Sequence, residues 1–385
     1  MDGKVRMGMI GGGIGAFIGS VHRMAAALDG RMELVCGAFS SDPEKSKLSG
    51  KELFLNPERV YGSWQEMIEK ENRLPEDVRM EVVSIVTPNH MHFAPARLAL
   101  EAGFHVISDK PLTFDLQEAY ALRDIVAKSG KIFALTHNYA AYPMVKQARH
   151  MVSTGTLGMI RKVVAEYPQG WLSSLLEASD NKQASWRTDP SRSGIAGSVG
   201  DIGTHAENLL HYITGLNITE LCADVHTLVE GRKLDDDANV LLGFSNGARG
   251  ILYASQISAG EENNLRIRVY GEHGSIEWAQ MEPNSLIVRW LDKPIQIYRT
   301  GGPDVCSASM ACTRLPSGHP EGYIEAFATI YRNVAMCIQA ARSGKRAEAH
   351  YYDFPGIDEG VRGMEFICKV IESGKSNQKW IQWNT

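Results

Sequence analysis

Asp201 and His205 stand four residues apart in Gly200-Asp201-Ile202-Gly203-Thr204-His205, a spacing that puts both side chains on one face of a helix. A carboxylate beside an imidazole fixes its tautomer and raises its basicity, as general-base work requires. Alone, the pair reads as a helix-start Asp with an incidental His. Asp109-Lys110-Pro111 gives it company, because it ends the strand-like run His105 to Ser108. A lysine leaving the carboxyl end of a parallel strand has a short path to the ligand crevice, although a solvated surface role is the default for a lone lysine.

The chemistry such groups would serve is suggested by Gly11-Gly12-Gly13-Ile14-Gly15-Ala16, which follows the first strand and opens a helix. Read as G-x-G-x-x-A, it supplies Gly11 for a tight turn, Gly13 for approach of a pyrophosphate and Ala16 for close helix–strand contact. The helix start then offers N–H groups and a positive dipole end to phosphate. The acidic residue expected at the end of the second strand, for a ribose hydroxyl, is absent. Ser40 and Ser41 stand there without an arginine, and Asp42 serves either the cofactor or the next helix as its cap. NAD against NADP stays open, with a lean to NAD. Thr87-Pro88-Asn89-His90-Met91-His92 ends the third strand and reads as a loop packed on the cofactor; its two histidines lack the carboxylates or thiols of a metal site.

These residues need a frame. Strand-like runs at Val5 to Ile10, Glu33 to Phe39, Val82 to Thr87, His105 to Ser108 and Lys131 to Leu135 alternate with helical patterns at Gly15 to Leu28, Trp64 to Glu71, Ala94 to Ala102 and Leu116 to Ser129. That alternation predicts an α/β domain, a doubly wound parallel sheet of Rossmann type, over residues 1–143. Residues 144–385 read as an α+β domain: a helix from Met144, a strand from Met159 to Tyr167, and a long polar stretch from Gly170 to Gly200. The helix Thr204 to Thr214 follows, then hairpins to Thr300 that predict a large open antiparallel sheet. Two terminal helices complete this domain, the last free to pack back on the first domain.

Composition narrows the functions. The chain of 385 residues holds 40 Lys and Arg against 45 Asp and Glu, a net charge of −5, and 44% hydrophobic residues. A globular protein follows, without the concentrated positive charge of a nucleic-acid groove or a membrane-binding surface. No apolar run reaches membrane-span length, and the six cysteines form no CxxC, so reduced thiols and a cytoplasmic setting are expected.

Taken together, the glycine fingerprint, Thr-Pro-Asn-x-x-His, Asp109-Lys110-Pro111 and Asp201-x-x-x-His205 resemble the glucose–fructose oxidoreductase / inositol dehydrogenase / MocA (Gfo/Idh/MocA) family along essentially the whole chain. The resemblance implies an NAD(P)-dependent oxidoreductase acting on a secondary hydroxyl or ketone of a sugar or polyol. Lys110, Asp201 and His205 would be catalytic. Cofactor contacts would come from Gly11, Gly13, Ile14, Gly15, Ala16, Ser40, Ser41, Thr87, Pro88, Asn89, His92, Asp109, Lys110, Asn138, Trp186 and Arg187. Substrate contacts would come from Lys110, Tyr139, Gln169, Trp171, Asp201 and His205. Tyr167-Pro168-Gln169-Gly170-Trp171 resembles the branch acting on glycosides and anhydrosugars, in which Gln169 would donate and accept and Trp171 would stack on a sugar face. Two departures stand out: Asp109 replaces the usual Glu, and Ala140-Ala141 stand where many members carry Arg, which argues against an anionic substrate. No metal is implied. The family commonly forms dimers or tetramers, so a homo-oligomer is expected. Readings beside the sugar dehydrogenase are a cyclitol dehydrogenase, an NAD-dependent glycosidase working by oxidation and elimination, and a non-catalytic nucleotide-binding sensor.

Overall fold

Alternating short apolar runs and amphipathic stretches build the first part of the computed structural model, which describes residues 3–383. The chain divides into two units: one runs to Asn138 and resumes at Tyr323–Val361, and the other holds Tyr139–Gly322 and continues from Arg362.

In the first unit the order is β1 (Val5–Gly11), α1 (Phe17–Leu28), β2 (Met32–Ala38), α2 (Pro43–Glu52), α3 (Trp64–Arg73), β3 (Val82–Val86), α4 (Phe93–Glu101), β4 (His105–Ser108), α5 (Leu116–Ser129) and β5 (Phe133–Leu135). The strands pair in parallel in the order β2-β1-β3-β4-β5. Every residue of β3 is buried, as expected of a strand covered on both faces. Strand order reverses direction between β1 and β3, where Gly11 lies opposite Val86. Open α/β sheets bind ligands at the carboxyl end of such a switch point.

In the second unit α6 (Pro143–Ser153) and β6 (Lys162–Pro168) lead into the long polar stretch, which carries two short helices, α7 (Lys182–Arg187) and α8 (Pro190–Ser193). A π-helical turn at Val199–Gly203 runs into α9 (Thr204–Thr214). Strands β7 (Ile218–His226), β8 (Asp237–Phe244), β9 (Arg249–Ser255), β10 (Arg266–Tyr270), β11 (Gly274–Ala279), β12 (Ser285–Trp290) and β13 (Gln296–Arg299) follow, then α10 (Ser307–Cys312). Helix α11 (Tyr323–Arg342) belongs to the first unit, where His22 of α1 packs on Phe327 with ring centroids 5.0 Å apart. Helix α12 (Ile357–Lys375) begins in the first unit and ends in the second, where β14 (Trp380–Gln382) pairs with β7.

The nine-stranded sheet has the order β13-β12-β11-β10-β6-β9-β8-β7-β14. It is antiparallel except at its middle, where β6 runs parallel to β9. The large antiparallel sheet expected from the hairpins is present, with this one parallel pair at its middle. A parallel neighbour needs a long crossover, and the polar stretch with α9, β7 and β8 provides it.

Candidate active site

In the first unit the glycine loop is drawn onto the end of β2. Gly13 N–H donates to Phe39 O at 3.2 Å and Ile14 N–H donates to Ser49 Oγ at 3.2 Å. A Cβ on Gly13 would lie 2.6 Å from Ser49 Oγ and 2.8 Å from Phe39 O, so only glycine fits this approach. Gly11 and Gly15 have φ of 82° and 78°, in the region that favours glycine. Helix α1 starts after Ala16 with no side-chain cap and no acidic residue in its first turn, which leaves its positive end to an anionic ligand. In the same unit the buried Asn138 has a side-chain amide nitrogen with no hydrogen-bond partner. A dinucleotide with its pyrophosphate at α1 and a polar group at Asn138 fits these features.

The loops after β2 and β3 sort the other cofactor expectations. Asp42 Oδ1 accepts from Glu44 N–H and Lys45 N–H at 3.0 and 3.3 Å, so Asp42 caps α2. Ser40 Oγ accepts from Asp42 N–H at 3.1 Å, while Ser41 is exposed. Thr87 Oγ1 is taken up by Met91 O, and Asn89 is buried. His92 is buried, its Nδ1 2.7 Å from Pro111 O and its Nε2 2.9 Å from Thr87 O. Burial pushes its pKa down, against the pull of Asp109 and the two carbonyls. His92 therefore holds the loops after β3 and β4 together from inside and does not face a ligand. Asp109 turns its carboxylate back to Lys110 N–H and Thr136 Oγ1, both at 2.9 Å, and so fixes the backbone from which the half-buried Lys110 emerges.

In the second unit Asp201 lies in the π-helical turn, and His205 is buried in the first turn of α9. A π turn is rare and recurs at functional sites. The segment before it is gripped by buried Asp235, whose carboxylate accepts from Gly197 N–H (2.6 Å), Ser198 Oγ (2.8 Å) and Val199 N–H (2.8 Å). Gly197 is required at this grip, because a Cβ there would lie 2.2 Å from Asp235 O. Arg362 of α12 ties α9 from the other side, donating to Glu207 at 2.8 Å.

Around this helix start the structure gathers several expected residues and adds three. Asp201 Oδ2 lies 3.3 Å from Arg187 Nε and accepts from Gln256 Nε2 at 2.9 Å. Arg187 also stacks over Trp186, 4.3 Å from the ring centre. Gln169 Oε1 accepts from Trp171 Nε1 at 3.0 Å and from Gln256 Nε2 at 3.3 Å. Gln169 Nε2 donates to Asn263 Oδ1 at 2.7 Å, and Asn263 Nδ2 donates to Tyr139 OH at 3.1 Å. Tyr167 OH donates to Asn263 Oδ1 at 2.7 Å and lies 2.6 Å from Tyr139 OH. The ring of Tyr139 meets that of His205 edge-on, centroids 4.8 Å apart.

Proton directions in this network follow from one group. An indole N–H can only donate, so Trp171 turns the oxygen of Gln169 toward itself and the nitrogen toward Asn263. Asn263 must then accept at Oδ1 and donate from Nδ2. Tyr167 gives its proton to Asn263, leaving Tyr139 to give its own to Tyr167. Two expectations change accordingly. Tyr139 is buried with its hydroxyl in this ring, so it shapes the wall beside His205 and its proton is given to Tyr167. Gln169 has both oxygen lone pairs engaged and meets a ligand only as a donor, through its remaining N–H. Tyr167, Gln256 and Asn263 were not among the expected site residues.

Residues 5–137 match a family model described as the NAD-binding Rossmann fold of an oxidoreductase family, and residues 145–277 match the GFO/IDH/MocA C-terminal domain. The chain belongs to the Gfo/Idh/MocA family. An oxidoreductase of Sinorhizobium meliloti is 44% identical, with a TM-score of 0.89 over 98% of this chain and 99% of that one. An inositol dehydrogenase homolog of Azotobacter vinelandii, solved with NAD+, is 34% identical, with a TM-score of 0.95 over 99% and 98% of the two chains. Levoglucosan dehydrogenase of Pseudarthrobacter phenanthrenivorans is 28% identical over 71% of this chain and 73% of its own. The first unit is thus the NAD-binding domain of a family oxidoreductase, and the glycine loop and α1 are the features that fit the cofactor. Among the described residues no helix is long and apolar enough to cross a membrane.

Proposed function

We propose that this protein is an NAD-dependent dehydrogenase acting on a secondary hydroxyl of an uncharged sugar ring, with C3 of a glycoside or anhydrosugar as the reacting carbon. The observation that carries this reading is the grouping, at one helix start, of the Asp201 carboxylate, the His205 imidazole and a Gln169 amide restricted to donating. Such a set suits neutral hydroxyls. Ala140 and Ala141, both buried, supply no cation for an anionic substrate.

NAD, when bound, supplies the hydride acceptor. His205 takes the hydroxyl proton during oxidation and returns it during reduction. Lys110 donates to the developing alkoxide, an interaction strengthened by partial desolvation. Asp201, held by Arg187 and Gln256, orients a neighbouring hydroxyl or the imidazole. The Azotobacter relative, also solved with NADH and myo-inositol at 33% identity, favours a second reading, a cyclitol as substrate.

Absorbance of reduced cofactor across a panel of glycosides, anhydrosugars and inositols tests both. Turnover of glycosides or anhydrosugars is expected, and turnover confined to inositols would select the second reading. Glycoside cleavage without net cofactor change would replace both by an oxidation–elimination glycosidase. NAD binding without turnover anywhere on the panel would leave a sensor. The outward face of the large sheet carries Leu241 and Ile297, 47% and 57% exposed, which supports a homo-oligomer covering that face. Light scattering that gives a monomer at micromolar concentration would remove it.

A further inference from the structure

We infer that Gln256 is a positioning residue that holds Asp201 and Gln169 in their working orientations through one amide group. The inference rests on the dehydrogenase reading for its catalytic consequence and on geometry for its physical part. Gln256 is 2% exposed and directly follows β9. Its backbone is fixed on both sides, with its N–H donating to Asp236 O at 2.9 Å and its carbonyl accepting from Leu172 N–H at 3.0 Å. The side chain has little freedom left. Its Nε2 faces two acceptors, Asp201 Oδ2 at 2.9 Å and Gln169 Oε1 at 3.3 Å. One NH2 group has two hydrogens, and each acceptor takes one.

Neither acceptor can turn into a donor. The carboxylate of Asp201 only accepts, and Gln169 Oε1 is held toward Gln256 by the indole N–H of Trp171. A donor is therefore obligatory at this position, and glutamate, nearly the same in shape, is the worst replacement. The charged groups beside it are Asp201 with Arg187, and Asp236, whose backbone carbonyl takes the Gln256 N–H and whose carboxylate pairs with Arg232 at 3.2 Å. Arg187 contacts Asp201 with opposite charge at 3.3 Å, and a second carboxylate would draw on the same guanidinium. A glutamate at 256 would restore one of the two hydrogen bonds, that to Asp201, and only by taking up a proton and donating it.

The test compares Gln256→Glu with Gln256→Met, which removes the donors without adding charge. At pH 8 both variants are expected to lose about ten- to a hundredfold in kcat, the scale of a buried group left without its partner. NAD affinity should change less than kcat, since the glycine loop and α1 lie in the other unit. Between pH 8 and 5.5 the ratio of Q256E to wild-type kcat should climb at least about tenfold, roughly one pKa unit's worth, while the Q256M ratio stays level. Melting temperature gives a readout free of catalysis: the deficit of Q256E against wild type should narrow over the same range, and that of Q256M should not. Level ratios and level deficits for both variants would overturn the inference and leave Gln256 as packing. Absence of wild-type turnover on every substrate would instead count against the dehydrogenase reading, with the melting data still deciding whether Gln256 bridges Asp201.

Discussion

Replacing His205 by alanine will lower turnover by about two to four orders of magnitude while NAD binding persists. The size of the effect follows from what surrounds the imidazole. The rings of Tyr139 and Tyr167 pack on it, with centroids 4.8 and 6.3 Å away. A tyrosine hydroxyl can itself act as a general acid or base. Here both hydroxyl protons are already committed, Tyr139 to Tyr167 and Tyr167 to Asn263, in a cycle whose sense the Trp171 indole sets. Releasing one breaks a buried ring of hydrogen bonds at about 1–3 kcal/mol for each group left unpaired. The loss in His205→Ala should therefore not be compensated from within. Stopped-flow measurement of hydride transfer, beside a fluorescence titration with NADH, separates the two quantities. Added imidazole should restore part of the rate. Hydride transfer at the wild-type rate with intact cofactor affinity would remove His205 from proton transfer.

How much of this arrangement was legible in the sequence depended on where each contact runs. The parallel sheet was readable because its strands are apolar runs bounded by turn residues, and α9 and α11 fell at Thr204–Thr214 and Tyr323–Arg342 as their patterns predict. Helix α2 was announced only through Asp42 as a possible cap. Its buried positions are Ser46, Ser49 and Gly50, so no apolar period marks it, although Asp42 followed by Pro43 is a helix-start signal. The Asp201–His205 pair was visible because it is local. Asp201 lies in a π turn and His205 in the first turn of the α-helix that continues it.

Gln256 was invisible for a topological reason. Pro168 lies opposite Ser255 in the parallel pairing of β6 and β9, so Gln169 and Gln256 are the next residues along the same edge. Hairpin turns announce antiparallel neighbours, whereas nothing local announces a parallel one. The sequence therefore offered Gln169 as both donor and acceptor when its acceptor side was already occupied. His92 failed in the opposite sense. Its motif placed it at the cofactor edge, but a side chain pointing inward from that loop does structural work, and one-dimensional spacing does not reveal which way it points.

Acidification from pH 7 to 4.5 will destabilise the NAD-binding unit, chiefly through His22. This residue of α1 has no exposed surface and packs against Phe327 and Tyr331 of α11. Its Nδ1 lies 2.7 Å from the Tyr331 hydroxyl, which in turn lies 2.7 Å from Ser84 Oγ on β3, while Nε2 has no partner. An imidazolium there would bury a charge and leave an N–H unanswered. Burial accordingly lowers the pKa of His22 from 6.5 to about 4, with Arg23 adding to the effect and Asp109 opposing it.

The unfolded chain binds a proton near pH 6.5 and the folded unit does not until near 4, so between these values the unfolded state holds more protons and stability falls as pH falls. The shift corresponds to about 3 kcal/mol by pH 4, at a slope of about 1.4 kcal/mol per pH unit. His105 acts in the same direction. Burial takes it to about 4 as well, and its Nδ1 must stay unprotonated to accept from Ile132 N–H at 2.9 Å.

Hydrogen exchange of amides in β1 and β3, followed from pH 7 to 4.5 and corrected for the intrinsic pH dependence of exchange, reads this unit alone. Protection should fall steadily below pH 6.5. His22→Gln, which removes the titrating group and keeps a polar side chain, should start less stable at neutral pH but lose less on acidification, by one proton's slope. Protection that stays level down to pH 4.5, or an unaltered slope in the variant, would show that the α1–α11 contact does not depend on a neutral His22.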